Sequence, residues 1–342
     1  MSENSICLFT TIRATLADTL DFTYYHLNIG ADHMYLFFDG PADPSVNVLC
    51  REKRVTCIRC DANHWKSLAG NLPESDLNIQ TKEEINSRVA LKLAREQGYS
   101  WICHIDSDEL IHAAGGFKEA IASIPLRVEV ARFPVLEAIP ETLSVQSAFK
   151  DLYFFKHAKY VLPKKKIGHL DSRELILFRI KDIIYRIKMR QAIMLGCNLV
   201  SKYYIKGHRL GKSIARTNAR MVSWGAHFPY PDGKEPLETI FLPRVNILHY
   251  DGPDYEHWKA KWQMRYLHVQ NGIVPERVGP HRIRHYEEYA RVYEQGNEKD
   301  LVELFKTTYF ISSSDREILQ KVGLVSEIHL GEDLFRLVPK PA

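Results

Sequence analysis

Two carboxylates with one residue between them follow a short apolar run. The run is Trp101–Ile105, and Asp106-Ser107-Asp108 comes directly after it. On an extended segment, residues two apart point to the same side, so the two carboxylates could hold one cation. Oxygen ligands of this kind suit Mg²⁺ or Mn²⁺, which often keep substrate phosphates in their coordination shell. The pattern predicts a metal that neutralises a diphosphate leaving group; the alternative is a solvated acidic loop.

A pair of basic residues could serve the same chemistry. Lys212 and Arg216 are four apart, and on a helical turn they would share a face. There they could clamp a diphosphate, with the guanidinium binding two oxygens at once. The alternative is a solvated basic surface. The run Lys164–Lys166 is interpreted in the same two ways, as an exposed loop or as a contact for acidic lipid or glycan.

These groups need a scaffold, and the apolar runs indicate an open α/β sheet. Four short runs rich in strand-forming residues predict buried strands: Ile6–Ile12, His33–Asp39, Val55–Cys60 and Trp101–Ile105. Helical spacing at Leu16–Gly30 and Thr81–Gln97 separates them. This alternation is expected of a mostly parallel sheet, in which ligands bind at the carboxyl ends of the strands. Asp39 and Asp106 lie at two such ends and should share one crevice.

The second half of the chain is predicted to mix strands and helices. The predicted elements are a strand at Arg127–Leu136, a helix at Ile176–Ile205, a strand at Val245–Tyr250 and helices from His257 onward. We expect a domain at residues 1–253 and a helical C-terminal extension at residues 254–342. Cys57-x-x-Cys60 has no second pair at zinc-site spacing, which favours a plain strand over a metal or redox site.

Composition narrows the class of protein. The 342 residues carry 46 Lys and Arg against 42 Asp and Glu, a net charge of +4, which is too mild for a nucleic-acid-binding face. It suits anionic substrates or a loose association with anionic lipid. No apolar run reaches the roughly 18 residues of a transmembrane helix, and the first residues do not resemble a signal peptide. We therefore expect a cytoplasmic protein, or one peripheral on the cytosolic face of a membrane.

Several segments together resemble glycosyltransferase family 2 and its relatives in family 92. The segments that carry the resemblance are Tyr25–Asp39, Asn86 in the helix before the acidic motif, Trp101–Leu110, Gly211–Arg216 and Leu248–Tyr250. They extend over roughly residues 5 to 265. The family's usual Asn-Glu after the first strand is replaced here by Ile12-Arg13-Ala14-Thr15.

The resemblance implies a GT-A fold, an open, mostly parallel twisted sheet flanked by helices. It implies metal-dependent, inverting transfer from a nucleotide sugar, most often a UDP-sugar, to a glycan or glycolipid acceptor, as in surface polysaccharide assembly. Asp39 would bind the base, and Asp106, Asp108 and His249 would hold Mn²⁺ or Mg²⁺; His249 could equally be a core residue. The expected donor contacts are Thr11, Arg13, Asp39, Asn86, Asp106, Ser107, Lys212 and Arg216.

An inverting reaction also needs a base near the acceptor oxygen. Glu137 ends a predicted strand, and apolar neighbours would raise its pKa towards a useful value. Asp171 is the second candidate and Glu141 a third. Two other functions stay open: a metal-dependent nucleotidyltransferase, and a non-catalytic carbohydrate-binding protein that uses exposed aromatic residues at 258, 262 and 266. Those aromatic residues fit better as packing between the C-terminal helix and the main domain.

Overall fold

The computed structural model describes residues 4–68, 77–157, 172–198, 211–272 and 280–337. The strands are β1 Ile6–Ile12, β2 His33–Phe38, β3 Val55–Arg59, β4 Trp101–His104, β5 Glu109–Ala113, β6 Val130–Phe133, β7 Val135–Ala138, β8 Phe154–His157, β9 Lys212–Arg216, β10 Met221–Trp224, β11 Pro229–Pro231, β12 Thr239–Phe241, β13 Val245–His249 and β14 Val325–Glu327. The helices are α1 Leu16–Asn28, α2 Ser45–Leu49, α3 Ala62–Leu68, α4 Ile79–Glu96, α5 Phe117–Ala122, α6 Ser172–Met194, α7 Tyr255–Gln270, α8 Pro280–Glu294, α9 Glu298–Tyr309 and α10 Ser313–Lys321, and a 3-10 helix spans Glu332–Phe335.

Within the described residues, seven strands form a central sheet in the order β12-β6-β9-β4-β1-β2-β3. β1 is parallel to both β2 and β4, β2 is parallel to β3, and β12 is parallel to β6. Only β9 runs against its neighbours β4 and β6 in this sheet. The predicted α/β fold, with a mostly parallel sheet flanked by helices, is confirmed.

The central strands are largely apolar because both faces of the sheet are covered by core clusters. All six residues of β2 and all four of β4 are buried. The helices between them begin with polar caps: Thr15 accepts a hydrogen bond from the backbone of α1, and Asn78 does the same for α4. Gly30, at a φ of 118°, lets the chain turn after α1 into β2.

The described residues also form a second sheet, which shows that one predicted strand is in fact two. Its order among the described strands is β14-β8-β7-β13-β5. The single strand predicted at Arg127–Leu136 is two strands, because Pro134 cannot donate to a ladder and interrupts it. The chain leaves the central sheet after β6 and enters the second sheet as β7, where Glu137 pairs with His249 of β13.

The C-terminal part is largely helical, as predicted, although β14 also completes the second sheet by pairing with β8. Trp258 and Trp262 are buried, at 0% and 1% exposure, in a cluster with Tyr289 and Phe305. Two of the three aromatic residues of the carbohydrate-binding alternative are therefore core residues, whereas Tyr266 is partly exposed. The division at residue 253 stays a prediction. No helix among the described ranges has the length and apolar character for crossing a membrane.

Candidate active site

The acidic motif forms a turn rather than an extended segment. β4 ends at His104, and the backbone N–H of Glu109 donates to the carbonyl of Asp106 over 3.0 Å. The carboxylate of Glu109 in turn accepts from the backbone N–H of Asp106 at 2.9 Å. The chain forms a turn here, so the extended segment on which the expectation for Asp106 and Asp108 rested is not present. Their carboxylates belong to two different groups of potential metal ligands.

The first group surrounds the buried ammonium of Lys212. Its Nζ lies 2.7 Å from Oδ2 of Asp106 and 3.3 Å from Oε2 of Glu109, and it donates to the carbonyl of Ala226 at 2.8 Å. Burial alone would lower the pKa of Lys212, but the two carboxylates outweigh it and raise that pKa. Burial raises the pKa of Glu109 to about 8 despite the nearby ammonium. Lys212 is therefore a fixed positive charge beneath Asp106.

His104 and Glu83 complete this first group. Nε2 of His104 is 3.5 Å from Oδ1 of Asp106, and Glu83 reaches the same place from α4, with ligand atoms of all three within 4.8 Å. Burial lowers the pKa of His104 to about 3, so the imidazole is neutral at physiological pH. Burial, with Asp106 adding to it, raises the pKa of Glu83 to about 8.

The second group consists of Asp108, His249 and Asp251, whose ligand atoms lie within 4.8 Å of one another. Strand pairing brings them together: His249 on β13 lies opposite Glu109 on β5, and the backbone N–H of Tyr250 donates to the carbonyl of Asp108 at 2.9 Å. Two carboxylates and one imidazole are a suitable ligand set for Mn²⁺ or Mg²⁺. The predicted ligands Asp108 and His249 are together here, whereas Asp106 lies in the other group.

The two ring nitrogens of His249 have different partners. Nδ1 is 2.9 Å from Oε2 of Glu137, and Nε2 is 3.8 Å from Oδ2 of Asp108. A carboxylate behind a ligating imidazole fixes the orientation of the ring and raises its basicity. Burial alone would lower the pKa of His249, but Glu137 and Asp108 outweigh it and raise that pKa to about 10. A metal at Nε2 would therefore have to displace a proton.

A lysine from the C-terminal helices also reaches this group. Nζ of Lys261, on α7, lies 2.6 Å from Oδ2 of Asp108 and 2.7 Å from Oδ1 of Asp251. The hydroxyl of Tyr309, on α9, donates to the other oxygen of Asp251 at 2.7 Å. The ammonium thus bridges the two carboxylates that would hold a metal. A metal bound by both carboxylates must compete with it.

The predicted donor contacts near the ends of β1 and β2 form two smaller clusters. Nδ2 of Asn86 donates to Oγ1 of Thr11 at 2.9 Å, and Oδ1 of Asn86 is 2.9 Å from Nε2 of His64. Asp39 pairs with Lys82 at 2.7 Å.

Helix α4 links these clusters to the acidic motif. On this helix, Lys82 forms an ion pair with Asp39, and the adjacent Glu83 belongs to the Asp106 group. Arg13 is exposed at the end of β1, and Ser107 is in the acidic turn.

The predicted basic clamp and one of the predicted bases are not found in the arrangement that the sequence suggested. Lys212 and Arg216 lie on a strand rather than a helical turn, about 13 Å apart at the strand rise. Arg216 is opposite Trp101, at the start of β4, and donates to the carbonyl of Val128 at 2.9 Å, so the two residues cannot form the predicted clamp. Glu141 forms an ion pair with Arg316.

Further predictions lie outside the described residues. These are Asp171, the basic run 164–166 and the end of the predicted helix, residues 199–205.

Sequence reasoning missed Asp251, Glu83 and Lys261. Asp251 could have been found from the sequence, because His249 and Asp251 are separated by one residue at the end of β13, as Asp106 and Asp108 are in the acidic motif. Glu83 is three residues before Asn86 on α4, which places both on one helix face. Lys261 had no local signal, since its position depends on how α7 packs against the sheets.

Comparison with known proteins gives a coarse relationship. No protein-family model matches the chain. The chain is 26% identical over 268 residues to Glycosyltransferase-like At3g57200 of Arabidopsis thaliana, a match covering 73% of the chain and 48% of that protein. It is also 26% identical over 268 residues to Glycosyltransferase-like At2g41451 of the same plant, covering 72% and 53%. The similarity is to glycosyltransferase-like proteins. The chain spans about half the length of these relatives.

Two solved structures align with the chain at low TM-score and low sequence identity. HddC from Yersinia pseudotuberculosis aligns with a TM-score of 0.33 at 10% identity, over 75% of this chain and 97% of that one. The crystal structure of a mycobacterial protein aligns with a TM-score of 0.33 at 12% identity, over 81% and 78%.

Proposed function

We propose that the protein is a metal-dependent glycosyltransferase that moves a sugar from a nucleotide sugar to the hydroxyl of a glycan or glycolipid, with inversion. The observation that carries the proposal is the group of Asp108, His249 and Asp251, beside the buried Lys212–Asp106 pair. The similarity to two glycosyltransferase-like proteins supports it.

Asp108, Asp251 and Nε2 of His249 would hold Mn²⁺ or Mg²⁺. The bound ion would supply neutralising charge for the diphosphate. Glu137 holds the ring of His249 by its hydrogen bond to Nδ1, and it is itself buried. We therefore assign Glu137 to positioning His249 rather than to the predicted role of base. Asp171 remains the other predicted base.

The donor's nucleoside would lie over the ends of β1 and β2. Asp39 is the predicted acceptor for the N–H of a uracil base, and its pairing with Lys82 keeps the carboxylate in place. Lys82 is next to Glu83 on α4, and its ammonium could bind the phosphates of the donor. We therefore propose a uridine diphosphate sugar as the donor.

The test measures the products of donor turnover with Mn²⁺ present. Release of a nucleoside diphosphate is expected; release of pyrophosphate would indicate a nucleotidyltransferase, and neither product would refute both. Asp108→Asn should lose this turnover and the thermal stabilisation by Mn²⁺ with UDP, because one charged ligand is removed. Asp232→Asn, in an exposed loop after β11, is the matched control and should behave like the wild type.

A further inference from the structure

Helix α6 carries an apolar stripe on its outer side. Ile176, Ile180, Ile183 and Ile187 are between 45% and 57% exposed. Their spacing of four, three and four residues places them on one helix face. Five more exposed apolar residues, at 177, 184, 193, 194 and 195, widen and lengthen this surface. From residue 176 to residue 194 the stripe is about 27 Å long at the helical rise.

The other side of α6 is already packed, so the stripe does not face the core. Tyr185 and Ala192 are buried within the aromatic cluster of the C-terminal helices. Nζ of Lys188 donates to the carbonyl of Gly323 at 3.0 Å. The helix is therefore fixed from behind, with its isoleucines presented outward. An apolar surface of this extent on a protein marks an interaction site.

A row of arginines borders the stripe. Arg179, Arg186 and Arg190 are exposed and follow one another by seven and four residues along one edge of the isoleucines. Among the α6 side chains that the structure describes, Asp182 is the single acid, and Arg186 lies 2.8 Å from it in an i,i+4 pair. The border of the stripe is thus positively charged.

We propose that α6 docks the protein on an anionic lipid surface, lying in the plane of the interface. The isoleucines would enter the boundary between headgroups and acyl chains, and the arginines would bind lipid phosphates. A second copy fits this surface less well, because an antiparallel two-fold dimer through the stripe would place the two arginine rows side by side. The proposal does not depend on the catalytic assignment.

Co-sedimentation with vesicles tests the proposal. Wild-type protein is expected to bind phosphatidylcholine vesicles that contain phosphatidylglycerol and to bind pure phosphatidylcholine weakly. Ile183→Glu should reduce the partition coefficient by about tenfold or more, since a charge replaces an inserted isoleucine. Arg190→Gln should reduce binding to the anionic vesicles by about fivefold and make it less sensitive to salt.

Ile283→Glu is the matched control, because Ile283 is an equally exposed isoleucine on α8, at 47%. It should bind vesicles like the wild type. Absence of wild-type binding, equal binding to both vesicle types, or wild-type binding by Ile183→Glu would overturn the proposal. Sedimentation velocity without lipid addresses the alternative: a wild-type dimer that Ile183→Glu converts to a monomer would assign the stripe to self-association. Circular-dichroism melting checks that every variant is folded.

Discussion

Replacing Lys261 with methionine should tighten Mn²⁺ binding by about 30-fold. The ammonium lies 2.6 Å from Asp108 and 2.7 Å from Asp251, so a metal held by both carboxylates must first break two ion pairs. Partly exposed pairs are each worth about 1 kcal/mol. Together they cost the incoming metal about 2 kcal/mol, which corresponds to about 30-fold in affinity. Methionine keeps the packing of the stem and removes the charge.

Isothermal titration calorimetry with Mn²⁺ measures the effect directly. Lys259→Met is the control, because it removes an ion pair of 2.6 Å to Glu298 from the same helix without touching the acidic group. Lys259→Met should bind Mn²⁺ like the wild type. Unchanged or weaker Mn²⁺ binding by Lys261→Met would refute the competition, and would mean that Lys261 supports the geometry of the two carboxylates instead.

Three further predictions concern the same site. Glu137→Gln should lower the pKa of His249 from about 10 towards its ordinary 6.5, seen by NMR titration of the imidazole, and should reduce kcat more than donor affinity. Because the pKa of His249 is raised in the folded protein, the stability that His249 contributes should be complete below pH 6.5 and lost as the pH rises through about 10. Urea unfolding across that pH range checks the sign. The affinity for Mn²⁺ should rise over the same pH range. Asp39→Ala should weaken UDP binding in calorimetry far more than binding of a bare sugar phosphate, and an equal loss for both would assign Asp39 to the turn at Gly40.

The parts of the fold that sequence predicted are those whose signal is local. β2 and β4 are buried along their whole length, so each produced an uninterrupted apolar run. A break in the strand at Pro134 could also be predicted, since proline has no N–H to donate. The sequence could not show that the chain passes from one sheet to the other at this point. Which sheet a short strand joins is decided by partners far away in sequence.

Residues of the candidate site could be predicted only where they lie at the ends of strands. Asp108 and His249 were found because each follows or ends a buried strand. Asp106 and Asp108 fall in separate groups, and the turn that accompanies this, held by two hydrogen bonds between Glu109 and Asp106, is not encoded by the motif. Lysine is usually a surface residue, so nothing in the sequence indicated that Lys212 is buried. Only the structure shows that its ammonium is the buried counter-ion of Asp106.

The contact of Tyr309 with Asp251 bears on how the chain can be divided. Lys261 and Tyr309 both come from the region after residue 253, yet both touch a carboxylate of the proposed metal site. The site is therefore shared between the sheets and the C-terminal helices. A shortened protein ending at residue 253 would lose two of the groups around its own acidic cluster, so the C-terminal helices are not an interchangeable accessory. Insertions or deletions between β13 and α9 would therefore shift Lys261 and Tyr309 relative to the proposed metal site.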